Sequence, residues 1–449
     1  MMSFSCAECG YRTIKSYGRC PNCGAWDSIS EDASEREADS PSAPWIGESV
    51  RQLSQIDLAD VTRRPSGLSE FDRVLGGGLI PGGVILFGGE PGIGKSTLLL
   101  QVAQALAERD GNVLFVSGEE SESQIKLRAS RLGIDGDRLY LLAEQSLPRI
   151  VAAVEEVEPC CLIIDSIQTV RGADPEGGAG SLRQLRGACA ELIRLAKTRR
   201  LVTFLVGHIT KEGSFAGPKT IEHLVDVAVY LEGSRGEDVR ILRSVKNRFG
   251  PTNEAAVFRM TENGLIEIDD PSSFFLEAHG EEARSGSVIV SILEGSRPIL
   301  IELQALVSPT GGYGVPQRRC TGLDVNRVLL LLAVIEKRLA VHAGGADVYL
   351  SVAGGLQIRE RAADLGIVVA IVSSLRNRAI QARTTVSGEV GLSGEIRAVR
   401  RLTDRIGEAK KMGYERIVVP ATGKTPRGEG IDVIPVESID EAIASLGLG

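Results

Sequence analysis

The chain holds 449 residues, 43% hydrophobic and 24% charged, the balance of an ordinary globular protein with length for roughly three domains. A net charge of -8 excludes a generally basic coat, so any nucleic-acid partner must meet local basic grooves. The longest apolar run, "VLLLLAVI" at 328–335, falls well short of the ~18 residues that span a bilayer, and "MMSFSCAECG" lacks the pattern of a signal peptide. A cytoplasmic protein with no membrane partner is expected.

Four of the eight cysteines fall in the first 23 residues, where Cys6, Cys9, Cys20 and Cys23 form C-x2-C-x10-C-x2-C with Gly10 and Gly24 just past each pair. Two such knuckles offer four thiolates to a tetrahedral Zn²⁺, and glycine lets the backbone fold tightly behind the sulfurs. So small a segment has no core without metal, whereas zinc supplies on the order of 10 kcal/mol of folding energy. Residues 1–30 therefore read as a C4 zinc finger, structural because four protein ligands leave no open position. Residues 31–59, polar, acidic and containing Pro and Ser, read as a flexible linker.

From residue 60 to 270, apolar strand-like runs ("GVILFGG", "NVLFVSG", "CLIIDSI", "LVTFLVGH") alternate with helix-like segments, the signature of an α/β domain with a parallel sheet and crossover helices. Its end changes to strands joined by tight turns, "VAVYLEG", "DVRILRSVKNR", "EAAVFRM" and "GLIEI", an antiparallel meander. "DDPSSFFLEAHGEEARSG" suggests a second linker over 271–285. Strands and helices then resume, so residues 286–449 form a third, α/β domain.

Within the central domain, "GEPGIGKST" runs from Gly89 through Glu90, Pro91, Gly92 and Ile93 to Gly94, Lys95, Ser96 and Thr97, between a strand and a helix-like segment. Backbone N–H groups of such a loop wrap phosphates at a helix amino terminus, Lys95 meets the outer phosphates, and the Ser96 hydroxyl ligates Mg²⁺. The chain is expected to bind a nucleoside triphosphate. "CLIIDSIQT" ends its strand in Asp165, where P-loop enzymes carry a second acidic group near Mg²⁺. "NVLFVSGEES" ends in Glu119 and Glu120; a carboxylate there can orient and deprotonate the attacking water, or simply start a helix. Cys160, Cys161, Cys189 and Cys320 have no metal spacing and read as small core residues.

Together the zinc knuckles, "GGEPGIGKSTLLLQ", "VSGEESESQIKLRA", "VGHITKEGSFAGPK", "EHLVD" and above all "KNRFG" resemble the bacterial RadA/Sms DNA-repair proteins along essentially the full chain. The resemblance implies a RecA-like ATPase core that binds ATP and assembles as a ring, similar to the hexameric replicative helicases. It further implies ATP-driven branch migration on single-stranded and branched DNA alongside the RecA recombinase. It puts the catalytic glutamate on Glu119 and a polar sensor on His208, whose other reading is a half-buried strand-end histidine. DNA would meet the loops "RGADPEGGAGSLRQLR" and "TKEGSFAGPKT", with Arg171, Arg183, Arg186, Lys211 and Lys219 as phosphate partners.

The third domain resembles the Lon protease domain, a fold of the ribosomal protein S5 domain 2-like class, which uses a serine–lysine pair. Here Ala362 stands at the position matching the nucleophile and Thr403 at that of the lysine. Methyl cannot attack a carbonyl and threonine cannot replace the lysine base, so an ATP-dependent protease is disfavoured. A DNA-binding or oligomerisation platform is expected instead, with Arg376, Arg378, Arg397, Arg400 and Arg401 as DNA candidates. A nucleotide-switched scaffold without motor activity is the remaining alternative. In a ring, Lys246 and Arg248 of the stretch Lys246, Asn247, Arg248, Phe249 and Gly250 would point the same way and reach a neighbour's ATP, as an arginine finger does, or DNA.

Overall fold

The computed structural model describes residues 4–6, 12–13, 15, 17–26, 28–31, 52–55, 62–172, 182–208, 220–233, 237–277, 282–310, 315–421 and 430–449. The chain divides into two units, Met1–Leu58 and Ala59–Gly449. In the first, strands β1 (Phe4–Cys6), β2 (Arg12–Thr13) and β3 (Ile29–Glu31) form an antiparallel sheet in the order β2-β1-β3. Most of 31–59 lies outside the described residues; Leu53–Gln55 makes one helical turn.

The second unit opens with α1 (Ser69–Val74) and proceeds through β4 (Val84–Gly89), α2 (Lys95–Arg109), β5 (Val113–Ser117), α3 (Glu122–Arg131) and β6 (Leu139–Ala143). It continues with α4 (Leu147–Val157), β7 (Cys161–Asp165), α5 (Leu182–Arg199), β8 (Val202–His208) and α6 (Thr220–Leu224). The meander is β9 (Val227–Glu232), β10 (Val239–Asn247), β11 (Ala255–Thr261) and β12 (Gly264–Glu267). Among the described residues these strands form one sheet in the order β12-β11-β10-β9-β4-β8-β7-β5-β6. The six from β9 to β6 are parallel, and β10 to β12 add on antiparallel.

The central strands are continuous apolar runs because both faces are covered. On one face Phe71 of α1 and Leu98, Val102 and Leu106 of α2 pack against Phe87 and Phe204. On the other, Ile150 and Val154 of α4 and Leu192 of α5 cover Leu86, Leu162 and Leu205. Cys161 and Cys189 are buried in these layers, and desolvation pushes both thiols up, Cys189 to about 12.

The carboxyl-terminal part comprises α7 (Pro271–Leu276), β13 (Ser287–Glu294), β14 (Arg297–Pro309), β15 (Arg318–Thr321), α8 (Val325–Leu339) and β16 (Ala346–Val352). After these come α9 (Asp364–Arg376), β17 (Thr384–Val386), β18 (Glu389–Val390), β19 (Ile396–Arg397), α10 (Leu402–Lys411), β20 (Arg416–Pro420), β21 (Asp432–Val436) and α11 (Ile439–Ser445). Its main sheet runs β15-β16-β14-β13-β17-β20-β21, with α8 and α9 on one face and α10 on the other.

The stretch 271–285, which suggests a linker in the sequence, begins instead as a buried helix. Asp270 caps α7 by accepting from Ser273 N at 3.2 Å, and Pro271 sits in the first turn, a helix start that polar neighbours obscure. Phe275 is buried in a core that also takes Val239 and Ile241 of β10, Ala255 and Val257 of β11, and Val290, Ile299 and Ile301 of the carboxyl-terminal sheet. One hydrophobic core thus joins the meander to the domain that follows. Arg243 reinforces it, pairing with the buried Glu294 at 2.5 Å and with Glu232 at 3.1 Å.

Candidate active site

Neighbouring strands β4, β8, β7 and β5 end side by side, and each delivers a polar group to one cleft of about 350 Å³. After β4 the loop turns through Gly94 at φ +116°, a backbone conformation that favours glycine, and a Cβ there would displace the terminal methyl of Met260, 2.6 Å away. Because α2 starts at the next residue, its first N–H groups lack intrahelical partners and face the cleft as an anion site. Arg240, buried on β10, braces the loop by donating from Nε to the Ile93 carbonyl at 3.0 Å.

Lys95 Nζ donates to the Gly89 and Glu90 carbonyls, both at 2.9 Å, and lies 3.2 Å from His208 Nδ1. Burial lowers its pKa, partly offset by the charges of Asp165 and Glu119. Ser96 Oγ donates to Asp165 Oδ2. Burial raises the Asp165 carboxyl despite that hydrogen bond. Glu119 Oε1 accepts from Ser166 Oγ at 2.6 Å and lies 3.2 Å from His208 Nε2. Partial burial pushes Glu119 up, but the hydrogen bonds from Ser166 and His208 and the charge of Lys95 prevail and hold it below its ordinary value. With the Lys95 ammonium donating to Nδ1, the network assigns the His208 proton to Nε2, which donates to Glu119. The structure thus joins Lys95, His208 and Glu119 in one chain, whereas Glu120 is ion-paired with Arg128.

The hydroxyl of Ser96 and the half-buried carboxylate of Asp165 form an all-oxygen pair beside the anion site. That donor set fits a hard cation such as Mg²⁺, whose charge would relieve the desolvation of Asp165.

The stretch Lys246 to Gly250 lies elsewhere. Asn247 pairs with Val227, which is level with Ile85 on β4, four residues or about 13 Å below Gly89 along the strand. Lys246 Nζ donates to the Glu222, His223 and Val225 carbonyls at 2.9, 2.9 and 2.8 Å, capping α6. Arg248 has a 56% exposed side chain, 3.6 Å from Asp226. Asp226 is the hub: it also accepts from Lys197 Nζ at 2.5 Å and Val84 N at 3.1 Å. Asn247 faces inward and accepts from Phe249 N at 2.8 Å, the Phe249 carbonyl accepts from Arg63 at 2.7 Å, and Gly250 packs against Gly76. Of the two cations, Arg248 is the one presented to solvent.

In the first unit, Cys6 and Cys23 sulfurs are 3.7 Å apart, and those of Cys6, Cys20 and Cys23 all lie within 4.8 Å of one another. Tetrahedral zinc with Zn–S of about 2.3 Å sets sulfurs about 3.8 Å apart, so the set fits zinc. Gly24 takes φ +75°, which closes the turn behind Cys23. Cys9 lies outside the described residues.

At the Lon-like position, Ala362 is buried in the turn before α9, and the helix begins at Asp364, whose carboxylate binds Arg327 and accepts from Val390 N at 3.2 Å. Thr403 is exposed on α10, and the wholly buried Arg405 binds Glu360 and the carbonyls of Ser291 and Arg400. Among the basic residues read as DNA candidates, Arg376 donates to the Leu448 carbonyl, and Arg397 and Arg401 pair with Glu395 and Asp404, each at 2.6 Å. Arg171 and Arg186 are exposed, while Lys211, Lys219 and the Arg183 side chain lie outside the described residues.

The sheet and the cleft at its carboxyl edge define a P-loop ATPase. Family models agree: one described as an AAA domain matches residues 52–214, a rubredoxin metal binding domain matches 4–31, and subunit ChlI of Mg-chelatase matches 349–423. A protein named DNA repair protein RadA from Streptococcus pyogenes serotype M6 is 47% identical over 99% of this chain and 98% of its own length. Its counterpart from Bacillus subtilis strain 168 is 46% identical over 99% and 98%. The chain belongs to the RadA family of DNA repair proteins, with a RecA-like core, an amino-terminal zinc ribbon and a Lon-like carboxyl-terminal domain. A crystal structure of a KaiC-like protein from Pyrococcus horikoshii OT3 matches with a TM-score of 0.40 and 22% identity, covering 46% of this chain and 99% of the other.

Three residues of the site escape a reading of motifs. Arg240 is an ordinary charge in the sequence that only strand pairing brings to the loop, and Asp226, though it closes "EHLVD", has no partner visible in that motif. Ser166 carried a signal, its adjacency to Asp165.

Proposed function

We propose that the protein is a DNA-stimulated ATPase of recombinational repair that drives branch migration of RecA-made intermediates as a ring, hexameric by family, in the cytoplasm. Lys95 leaves its loop carbonyls for the outer phosphates of ATP, and Glu119 takes a proton from the attacking water. His208, in contact with both, links phosphate binding to the placement of Glu119. Mg²⁺, held by Ser96 and Asp165, would neutralise phosphate charge.

The observation that carries the motor reading is the distance of Arg248 from the chain's own nucleotide cleft. A guanidinium fixed on the opposite end of the sheet cannot serve its own ATP, but it can serve the next copy in a head-to-tail ring. DNA contact is read from the basic stretches that follow β7 and β8 in the chain, two strands whose ends line the cleft. No peptide hydrolysis is expected, because the position matching the nucleophile is the buried methyl of Ala362 and that of the lysine is Thr403.

The test is ATP turnover with and without single-stranded DNA, and extension of a RecA-made joint molecule, with Lys95→Ala as control. Equal mixing of Lys95→Ala with Arg248→Ala should restore turnover at about a quarter of the sites, those with both residues intact across one interface. ATP turnover indifferent to DNA, with joint molecules that do not lengthen, would point to a nucleotide-switched scaffold and sink the reading.

A further inference from the structure

Glu119 meets its two donors through the same oxygen. Ser166 Oγ and His208 Nε2 both contact Oε1, while Oε2 has no partner among the described residues. The two donors differ in how they are held. Ser166 is wholly buried, and its carbonyl accepts from Thr169 Oγ1 at 2.7 Å and Thr169 N at 3.2 Å. Thr169 in turn fills the space beside Gly118, where any Cβ would stand 1.8 Å from its hydroxyl oxygen, and Gly118 N donates to the Asp165 carbonyl at 2.9 Å. The turn after β7 and the loop after β5 are interlocked, so the Ser166 hydroxyl has one place to point. His208 is 29% exposed and also touches Lys95, so its contact with Glu119 changes when Lys95 turns to phosphate.

We infer that Ser166 is a positioning residue for ATP hydrolysis: its hydroxyl locks Oε1 of Glu119, so that Oε2 is the oxygen turned to the attacking water. The inference rests on Glu119 being the base. In the step it orients, Oε2 takes a proton as the water O–H bond breaks, and the water oxygen bonds the γ-phosphorus. The bond to the bridging oxygen then breaks with its electron pair leaving on ADP. A carboxylate held by His208 alone would swing about χ3 whenever that contact is lost, and a base displaced by an ångström loses much of its effect.

Replacing a hydroxyl that holds a charged partner is expected to lower kcat about 10- to 100-fold in Ser166→Ala while leaving KM for ATP within about twofold. Ser166→Cys, close in size and a weaker donor, should fall between, and it carries the test if the alanine variant does not fold. In a Glu119→Gln background, Ser166→Ala should cost less than about twofold more, because residues acting through one group are not additive. Parental turnover in either Ser166 variant overturns the inference, as does a full Ser166→Ala loss in the Glu119→Gln background. Glu119→Gln turning over at the parental rate would instead remove the base reading beneath it.

Discussion

Lys246 and Arg248 stand two residues apart yet should fail differently when truncated. Lys246→Ala removes three contacts to the carboxyl-terminal carbonyls of α6. Water replaces part of each in this half-exposed place, so the loss is about 1–2 kcal/mol, or about 2–6 °C in melting temperature. Arg248→Ala removes one ion pair of 3.6 Å from an exposed side chain, worth about 0–0.5 kcal/mol. Asp226 is not orphaned by that change, since Lys197 and Val84 N still hold it. Thermal unfolding should therefore leave Arg248→Ala within about 1 °C of the parent. DNA-stimulated ATP turnover reverses the order, because an arginine acting across an interface contributes about 10³-fold or more in kcat. Arg248→Ala should lose turnover without losing stability, and Lys246→Ala should lose stability first. An Arg248→Ala protein that melts as early as Lys246→Ala, or that keeps parental turnover, refutes this division of roles.

Gly94→Ala forces a side chain onto a backbone at φ +116° and displaces the end of Met260, so titration calorimetry should show ATP binding weakened at least tenfold, roughly 1.4 kcal/mol, in a protein that still folds. Hydrogen bonds and charge hold Glu119 below its ordinary value, so kcat should show no acid limb from this group between about pH 5.5 and 8. His208→Ala removes a hydrogen-bond donor, which raises that pKa; kcat profiles should show the limb moving to higher pH, and an unmoved limb counts against the contact. Cys20→Ser leaves the zinc ribbon one thiolate short, so native mass spectrometry should find the parent's single zinc lost or largely released to a chelator.

Much of the ATPase was legible in the chain because phosphate chemistry constrains short stretches. A phosphate cradle needs glycines, a lysine and a hydroxyl in one loop, and buried parallel strands write themselves as apolar runs ending in the residues that matter, as "CLIIDSI" ends near Asp165. The meander was legible from its turns, with Gly264 at φ +107° closing "TENG". Less was legible where meaning depends on pairing. The alternation of Lys246 and Arg248 suggests two matched prongs, but α6 claims the lysine, and nothing in five residues announces a helix end more than 20 residues upstream. The buried α7 was hidden for a similar reason: two phenylalanines among serines and acids look like linker until the far side of their core is known.

That core has a consequence for how the molecule can move. Val239, Ile241, Ala255 and Val257 belong by pairing to the P-loop sheet and by packing to the Lon-like domain. A hinge needs a plane along which few contacts must part, and here the plane would cut through side chains that are nearly or wholly inaccessible to water. Separating the nucleotide sheet from the domain beyond it would therefore expose apolar side chains of both, so a hinge at this seam is costly.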